Sequence, residues 1–122
     1  MKILLCEDDK GIQELIALLL ESDGYKVSVS ASIKDAIELL ACEKFKLIIL
    51  DYWLEDGIAD KLVAIIKSDY QETPTLLISA AGNLEELSTK LKVTDYLQKP
   101  FDIISFQSKV NTIINGNYDS SN

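Results

Sequence analysis

The feature that most constrains the fold is a regular alternation of two hydrophobic periods along the chain. Short segments typical of β-strands occur at five places: Lys2–Cys6, Tyr25–Ser30, Leu47–Leu50, Thr75–Ser79 and Asp95–Gln98. After each of them, apolar residues recur at intervals of three and four, which is the spacing of an amphipathic helix. Strict alternation of strands and helices predicts an α/β fold with a parallel sheet and helices on both faces.

The order of the strands follows from their composition. The first, third and fourth strands are continuous apolar runs, as strands buried on both faces require. The second strand alternates apolar and polar residues and the fifth is short and mixed, so both are expected at the edges. With right-handed crossovers, the simplest arrangement is a doubly wound sheet of order 2-1-3-4-5, which is flavodoxin-like.

Local signals agree with this reading. Ser32, Asn83 and Asp102 directly precede the second, fourth and fifth helical patterns, and each can accept a hydrogen bond from a free helical N–H group. Cys6 and Cys42 both follow apolar residues, so both are expected in the core and a disulfide is not expected.

Composition excludes several classes of protein. The chain has 122 residues, which suits one domain. A net charge of −8 disfavours direct binding to nucleic acid. With no histidine and no CxxC pair there is no zinc site. No apolar run approaches the roughly 18 residues that cross a bilayer, and no signal peptide begins the chain. We therefore expect a soluble, cytoplasmic protein with no membrane contact.

Acidic residues follow two of the predicted central strands. Glu7 and Asp8 come directly after the first strand, and Asp51 ends the third. In a doubly wound sheet, ligands bind at the carboxyl ends of the strands where the strand order reverses, here between strands 1 and 3. Ser79 ends the fourth strand and Lys99 follows the fifth, so all five side chains are expected at one edge.

This set of residues favours phosphoryl transfer. Converging carboxylates repel one another, and an all-oxygen acidic site suits Mg²⁺. Asp51 would then be the nucleophile, with Ser79 and Lys99 stabilising the phosphoryl oxygens. Each residue alone also has a plainer interpretation: first-turn acids of a helix for Glu7 and Asp8, a loop aspartate, a turn serine and a surface lysine. Four such features at one edge are poorly explained by chance.

Four motifs occur in order along the chain: ILLCEDD, LIILDYWL, LLISA and DYLQKPF. Together they resemble the receiver domains of two-component response regulators, and the chain is similar to single-domain, chemotaxis-type regulators. The resemblance covers residues 1–114, which we interpret as one receiver domain, and leaves 115–122 as a polar tail expected to be disordered.

The resemblance implies a metal site and a phosphoacceptor. It makes Asp51 the residue that accepts the phosphoryl group. It makes Asp8 a direct Mg²⁺ ligand, with Glu7 acting partly through water, and the backbone carbonyl of Trp53 a further ligand beside Asp51.

It also implies a switch. Ser79 would hydrogen-bond the phosphoryl group, and Lys99 would pair with it, held by a cis bond to Pro100. Tyr96 matches the aromatic residue that turns inward when the hydroxyl residue moves. Asp9 is expected to cap the first helix instead of binding metal.

The function implied is phosphorelay signalling, with a sensor histidine kinase or phosphotransfer protein as donor and an unknown protein target downstream. The chain would be no enzyme beyond its own phosphotransfer and slow dephosphorylation, and would be a monomer or weak dimer. One alternative is a receiver-like module that binds partners without phosphorylation. Another is a small phosphohydrolase, but the D-x-D pattern of that class is absent because Trp53 stands at its second acid.

The chain departs from the family pattern in two places. After the acceptor, Glu55 stands where proline is usual and Ala59 where glycine is usual, so Gly57 is the candidate for the turn. The interval between Ser79 and Lys99 is short, which predicts a shortened fourth helix and a divergent signalling face. The eight tail residues are too few for an effector module, leaving either a stand-alone receiver or part of a longer regulator.

Overall fold

Seven strands and five helices form within residues 1–116, the part of the chain that the computed structural model describes, and they alternate except between the second and third helices, where three strands follow one another. The strands are β1 (Lys2–Cys6), β2 (Lys26–Ser30), β3 (Leu47–Asp51), β4 (Trp53–Leu54), β5 (Gly57–Ile58), β6 (Thr75–Ser79) and β7 (Asp95–Gln98). The helices are α1 (Lys10–Ser22), α2 (Ile33–Cys42), α3 (Asp60–Asp69), α4 (Leu84–Leu91) and α5 (Ile103–Ile114). Residues 117–122 of the tail lie outside this range, so their expected disorder stays a prediction.

The main sheet has the predicted topology. Its order is β2-β1-β3-β6-β7, which is 2-1-3-4-5 when only these five strands are counted, and every pair is parallel. All residues of β3 and β6 are buried, whereas β2 and β7 at the edges are largely half-buried or exposed. The bounds differ slightly from those predicted: β2 begins at Lys26 and β3 continues to Asp51.

Two hydrophobic cores lie on opposite faces of the sheet. Alternate residues of β1, β3 and β6 point to each face because the side-chain period of a strand is two. On one face they pack against α2, α3 and α4, and on the other against α1 and α5. Phe106 of α5 is fully buried. Burying one large apolar side chain contributes about 1.5–3 kcal/mol, so these two cores stabilise the sheet and the helices packed on it.

Three of the four proposed helix caps are formed. Asp9 accepts from the N–H of Ile12 at 3.0 Å, and Ser32 and Asp102 make the equivalent bonds for α2 and α5. The prediction for Asn83 is wrong, because its backbone (φ −109°, ψ 34°) is not in the extended conformation that brings a capping side chain over the first turn.

The two cysteines differ in environment. Cys6 is fully buried, as predicted, and burial raises the pKa of its thiol to about 12. Cys42 is exposed, so the prediction that it lies in the core is wrong. Cys42 is the last residue of α2, and the buried stripe of this helix ends at Leu40.

A small hairpin between β3 and α3 was not predicted. In it, Trp53 pairs with Ile58 and Leu54 with Gly57 in antiparallel register. Gly57 has a φ of +143°, which supports the assignment of the turn to this glycine. Ala59 has a φ of −75°, a right-handed conformation that needs no glycine.

The fourth helix is short, with eight residues; it ends at Leu91 and is followed by Lys92 in the left-handed conformation. Within residues 1–116, no helix combines the length and apolar character needed to cross a bilayer.

Candidate functional site

The side chains proposed for the site all emerge at one edge of the sheet. Parallel pairing aligns the strand ends: Cys6 lies beside Leu50, and Asp51 beside Ile78. Glu7 and Asp8 therefore leave β1 next to the end of β3, while Ser79 ends β6. Farther along the edge, Ser79 pairs with Gln98, the last residue before Lys99.

Lys99 joins two of the acids. Its Nζ atom donates to Glu7 Oε1 at 2.7 Å and to Asp51 Oδ2 at 2.8 Å. The side chain of Glu7 is 1% exposed and that of Asp51 is 10% exposed, so both ion pairs are well shielded from water. One ammonium thus serves two carboxyl groups, and Asp8 adds a third acid to the pocket.

The acids also take backbone donors. Glu7 Oε2 accepts from the N–H of Asp9 at 3.1 Å, and Asp51 Oδ1 accepts from the N–H of Trp53 at 3.3 Å. These bonds orient both carboxyl groups. Asp8 is the exposed member of the set and is therefore the acid most open to solvent.

The pKa values of Glu7 and Lys99 reflect both their burial and the contact between them. Burial raises the pKa of Glu7, against the hydrogen bonds from Lys99 and Asp9, and the nearby Asp51 carboxylate adds to the rise. For Lys99, burial alone would lower the pKa, but its bonds to Asp51 and Glu7 outweigh that effect and the pKa is raised. The ammonium is thus held charged by two acids that compete for it.

Three carboxylates are placed to share a cation. One oxygen each from Glu7, Asp8 and Asp51 lies within 4.8 Å of the others. An all-oxygen, acidic donor set is the kind that hard divalent cations prefer, and the chain has no histidine to compete. The residues present therefore fit Mg²⁺. The role of the Trp53 backbone carbonyl as a further ligand stays a prediction.

Ser79 lies at the end of β6, the strand next to the one that ends at Asp51. It is fully buried, its hydroxyl accepts from the N–H of Ala81 at 3.3 Å, and its carbonyl accepts from the N–H of Lys99 at 2.8 Å. The last bond continues the β6–β7 ladder past the strand end, which ties Lys99 to the serine. The Lys99–Pro100 peptide bond is cis, as the resemblance implies.

Tyr96 lies on β7, half-buried against the core that includes α4. Lys109 of α5 donates to the Tyr96 carbonyl at 3.1 Å and lies 5.8 Å from the centre of its ring. Tyr96 thus stands between the two helices that flank β7. Its movement as a switch stays a prediction.

Sequence reasoning missed two residues near the site. Gln13 of α1 donates from its side chain to the carbonyl of Glu7. Asp56, at the tip of the hairpin, binds the first turn of α2. The contact of Gln13 is local, six residues along the chain, whereas Asp56 binds a helix 22 residues earlier and left no local signal.

A separate cleft lies elsewhere. About 940 Å³ in volume, it lies between the connections that follow α2 and α3 and is lined in part by Phe45, Tyr70 and Glu72. These connections lead into the amino ends of β3 and β6, so the cleft is at the opposite edge from the acids. Among residues 1–116, the acids close enough to share a cation are Glu7, Asp8 and Asp51, so we place the candidate site at their edge of the sheet.

Comparison with known proteins gives a consistent picture. The family model described as "Response regulator receiver domain" matches residues 3–111. The transcriptional regulatory protein PmrA of Pectobacterium parmentieri is 33% identical, over 100% of this chain and 56% of its own length. The nitrogen assimilation regulatory protein NtrX of Azorhizobium caulinodans is 34% identical, over 82% of this chain and 23% of its own.

A solved structure agrees with the sequence matches. The non-phosphorylated HemR receiver domain from Leptospira biflexa superposes with a TM-score of 0.85 at 33% identity, covering 93% of each chain. The chain spans little more than half of PmrA and under a quarter of NtrX, so each match concerns only part of those proteins. The family model covers most of the chain, and the sheet order and the acidic edge agree with it: the chain belongs to the response regulator receiver domain family.

Proposed function

We propose that this chain accepts a phosphoryl group on Asp51 in a Mg²⁺-dependent reaction and that the phosphorylated form changes its binding to a protein partner. The donor would be a sensor histidine kinase, a phosphotransfer protein or a small acyl phosphate. The observation that carries the proposal is the position of Asp51, a buried carboxylate bound to Lys99 at 2.8 Å within reach of two further acids.

The reaction balances without a further reactant. An Asp51 carboxylate oxygen attacks phosphorus and forms a new P–O bond, while the P–N bond of a phosphohistidine, or the P–O bond of an acyl phosphate, breaks. The leaving group keeps the electron pair, and a leaving imidazole takes a proton from solvent. The product is an aspartyl phosphate, which water later hydrolyses. The chain would therefore be a phosphoacceptor and not an enzyme acting on metabolites.

The chain's own residues would support this step by charge and position. Glu7, Asp8, Asp51 and the Trp53 carbonyl would hold Mg²⁺, which when bound offsets the negative charge of carboxylates and phosphoryl oxygens. Lys99 already contacts Asp51 and can pair with a phosphoryl oxygen there.

Ser79 and Tyr96 would transmit the change. The hydroxyl of Ser79 accepts a weak 3.3 Å bond from the N–H of Ala81, and its own O–H can donate to a phosphoryl oxygen. A shift of Ser79 would open space beside β7, where Tyr96 stands half-buried. Pro100 then leads into α5, so β7 and its flanking helices are where a partner would sense the change.

Intact-mass measurement after incubation with acetyl phosphate tests the proposal. With Mg²⁺ present, the protein should gain the mass of one phosphoryl group, and neither metal-free protein nor Asp51→Asn should gain it. A folded, metal-loaded protein that gains no mass would instead favour a module that binds partners without phosphorylation.

A further inference from the structure

The β4–β5 hairpin, which follows the strand that ends at Asp51, is hydrogen-bonded to the amino end of α2. At its tip, the Asp56 carboxylate accepts two backbone N–H groups of α2, with Ile33 N–H to Oδ1 at 2.7 Å and Lys34 N–H to Oδ2 at 3.1 Å. These are free donors of the first helical turn, and the positive end of the helix dipole favours a carboxylate there. The bond from Ile33 lowers the pKa of Asp56, so this side chain is charged at neutral pH.

Asp56 is a second cap for a helix that already has one. Ser32 accepts from the N–H of Asp35 at 3.0 Å, as a capping residue ordinarily does. Asp56 accepts the next two free donors from outside the helix, and the N–H of Ser32 donates to Ser30 Oγ at 3.4 Å. A second tether lies beside it, where the N–H of Glu55 donates to the carbonyl of Ala31 at 3.3 Å.

The hairpin needs such an anchor because it is minimal. It consists of two residue pairs, closed at its base by a bond from the N–H of Ala59 to the carbonyl of Tyr52 at 2.9 Å. An isolated hairpin of this size is not stable in water. The loop also contains no proline that would restrict its backbone, because Glu55 stands where the family usually has one.

The same hairpin includes main-chain groups that contact the site. Trp53 opens β4, and its N–H donates to Asp51 Oδ1 at 3.3 Å. The tip and the site are therefore connected through a short, continuous stretch of main chain from Trp53 to Asp56.

We propose that Asp56 is a positioning residue: by anchoring the β4–β5 hairpin to the amino end of α2, it holds the Trp53 backbone in place against Asp51 for metal binding and phosphoryl transfer. This inference rests on the proposed function. Outer residues that orient ligands commonly change metal affinity by about 10- to 100-fold. Because Asp56 acts through four residues of backbone, the expected effect of Asp56→Ala is a loss of about 5- to 10-fold in Mg²⁺ affinity.

The test compares Asp56→Ala with Ser32→Ala, which removes the helix's own cap and leaves the hairpin tether intact. Both variants remove a side-chain acceptor from the same helix end. Mg²⁺ titration is followed by fluorescence of Trp53, the single tryptophan. Amide hydrogen exchange over residues 52–59 is measured without metal. Asp56→Asn, which keeps acceptor oxygen but not charge, should lie between wild type and Asp56→Ala.

The inference predicts weaker Mg²⁺ binding, slower labelling by acetyl phosphate and faster exchange over the hairpin in Asp56→Ala, with Ser32→Ala like wild type in all three. Unchanged Mg²⁺ affinity in Asp56→Ala, or an equal loss of Mg²⁺ affinity in Ser32→Ala, would overturn the inference about Asp56. The proposed function would still stand if acetyl phosphate labels the wild type. A wild type that binds no Mg²⁺ and accepts no phosphoryl group would overturn both.

Discussion

Replacing Lys99 by methionine tests whether the acids depend on the ammonium that they share. The change keeps an unbranched stem and removes the contacts at 2.7 Å to Glu7 and 2.8 Å to Asp51. Breaking a buried ion pair costs about 3–5 kcal/mol, since a charge is left without a partner. Because Lys99 is 15% exposed and water can reach the pocket from the Asp8 side, we expect the lower end of that range, about 3 kcal/mol.

Urea unfolding, followed by Trp53 fluorescence, measures this loss. With a slope of about 1.5 kcal/mol/M for a small domain, the metal-free midpoint should fall by about 2 M. Mg²⁺ should restore part of the difference, since a cation held by the same acids replaces the missing charge. At ten times its dissociation constant, a ligand adds about 1.4 kcal/mol. At one fixed Mg²⁺ concentration the variant should gain more than wild type, because Lys99 no longer competes for the acids.

Lys109→Met is the matched control. Its ammonium lies 3.2 Å from Asp95 and donates to the Tyr96 carbonyl at 3.1 Å, but the lysine side chain is 31% exposed. Removing these contacts should therefore cost less than the loss at Lys99, about 1–2 kcal/mol, with no dependence on Mg²⁺. The reasoning is refuted if Lys99→Met and wild type unfold at the same urea concentration, or if Mg²⁺ stabilises Lys99→Met less than wild type.

Three further outcomes are expected. Asp8→Ala should abolish the Mg²⁺-induced change in Trp53 fluorescence, and a titration identical to wild type would place the metal elsewhere. A thiol reagent near pH 8 should modify Cys42 alone in the folded protein, because burial raises the pKa of Cys6 to about 12; mass spectrometry should find the second label only in denaturant. Phe106→Ala should lower the unfolding free energy by about 3–5 kcal/mol in urea, and a loss below 1 kcal/mol would contradict the burial of this ring.

The sheet and its order could be predicted because burial on two faces leaves a readable pattern. The runs at Leu47–Leu50 and Leu76–Ile78 are apolar at every position, so they belong in the centre, while the alternation around Val27 and Val29 belongs at an edge. Once the order is fixed, the alignment of strand ends follows from parallel pairing. This is why Glu7, Asp51 and Ser79 could be assigned to one edge from the sequence alone.

The hairpin could not be predicted in the same way. Strands of two residues are too short to show a period, and the bonds from Asp56 to α2 join residues 22 and 23 positions apart. Lys99 was expected to pair with a phosphoryl group, but its division between Glu7 and Asp51 depends on side-chain reach, which spacing does not encode. Cys42 was misplaced because the buried stripe of α2 ends at Leu40, two residues before the helix itself ends.

The central claim is that Asp51 is the phosphoacceptor, and chemical trapping tests it most directly. Borohydride reduces an aspartyl phosphate to homoserine, so protein labelled with acetyl phosphate and Mg²⁺ can be reduced, digested and mapped by mass spectrometry. The account predicts homoserine at position 51 and at no other aspartate position. Protein treated with borohydride before labelling should contain no homoserine. Homoserine at Asp8 or Asp9, or a phosphoryl group retained by Asp51→Asn, would contradict it.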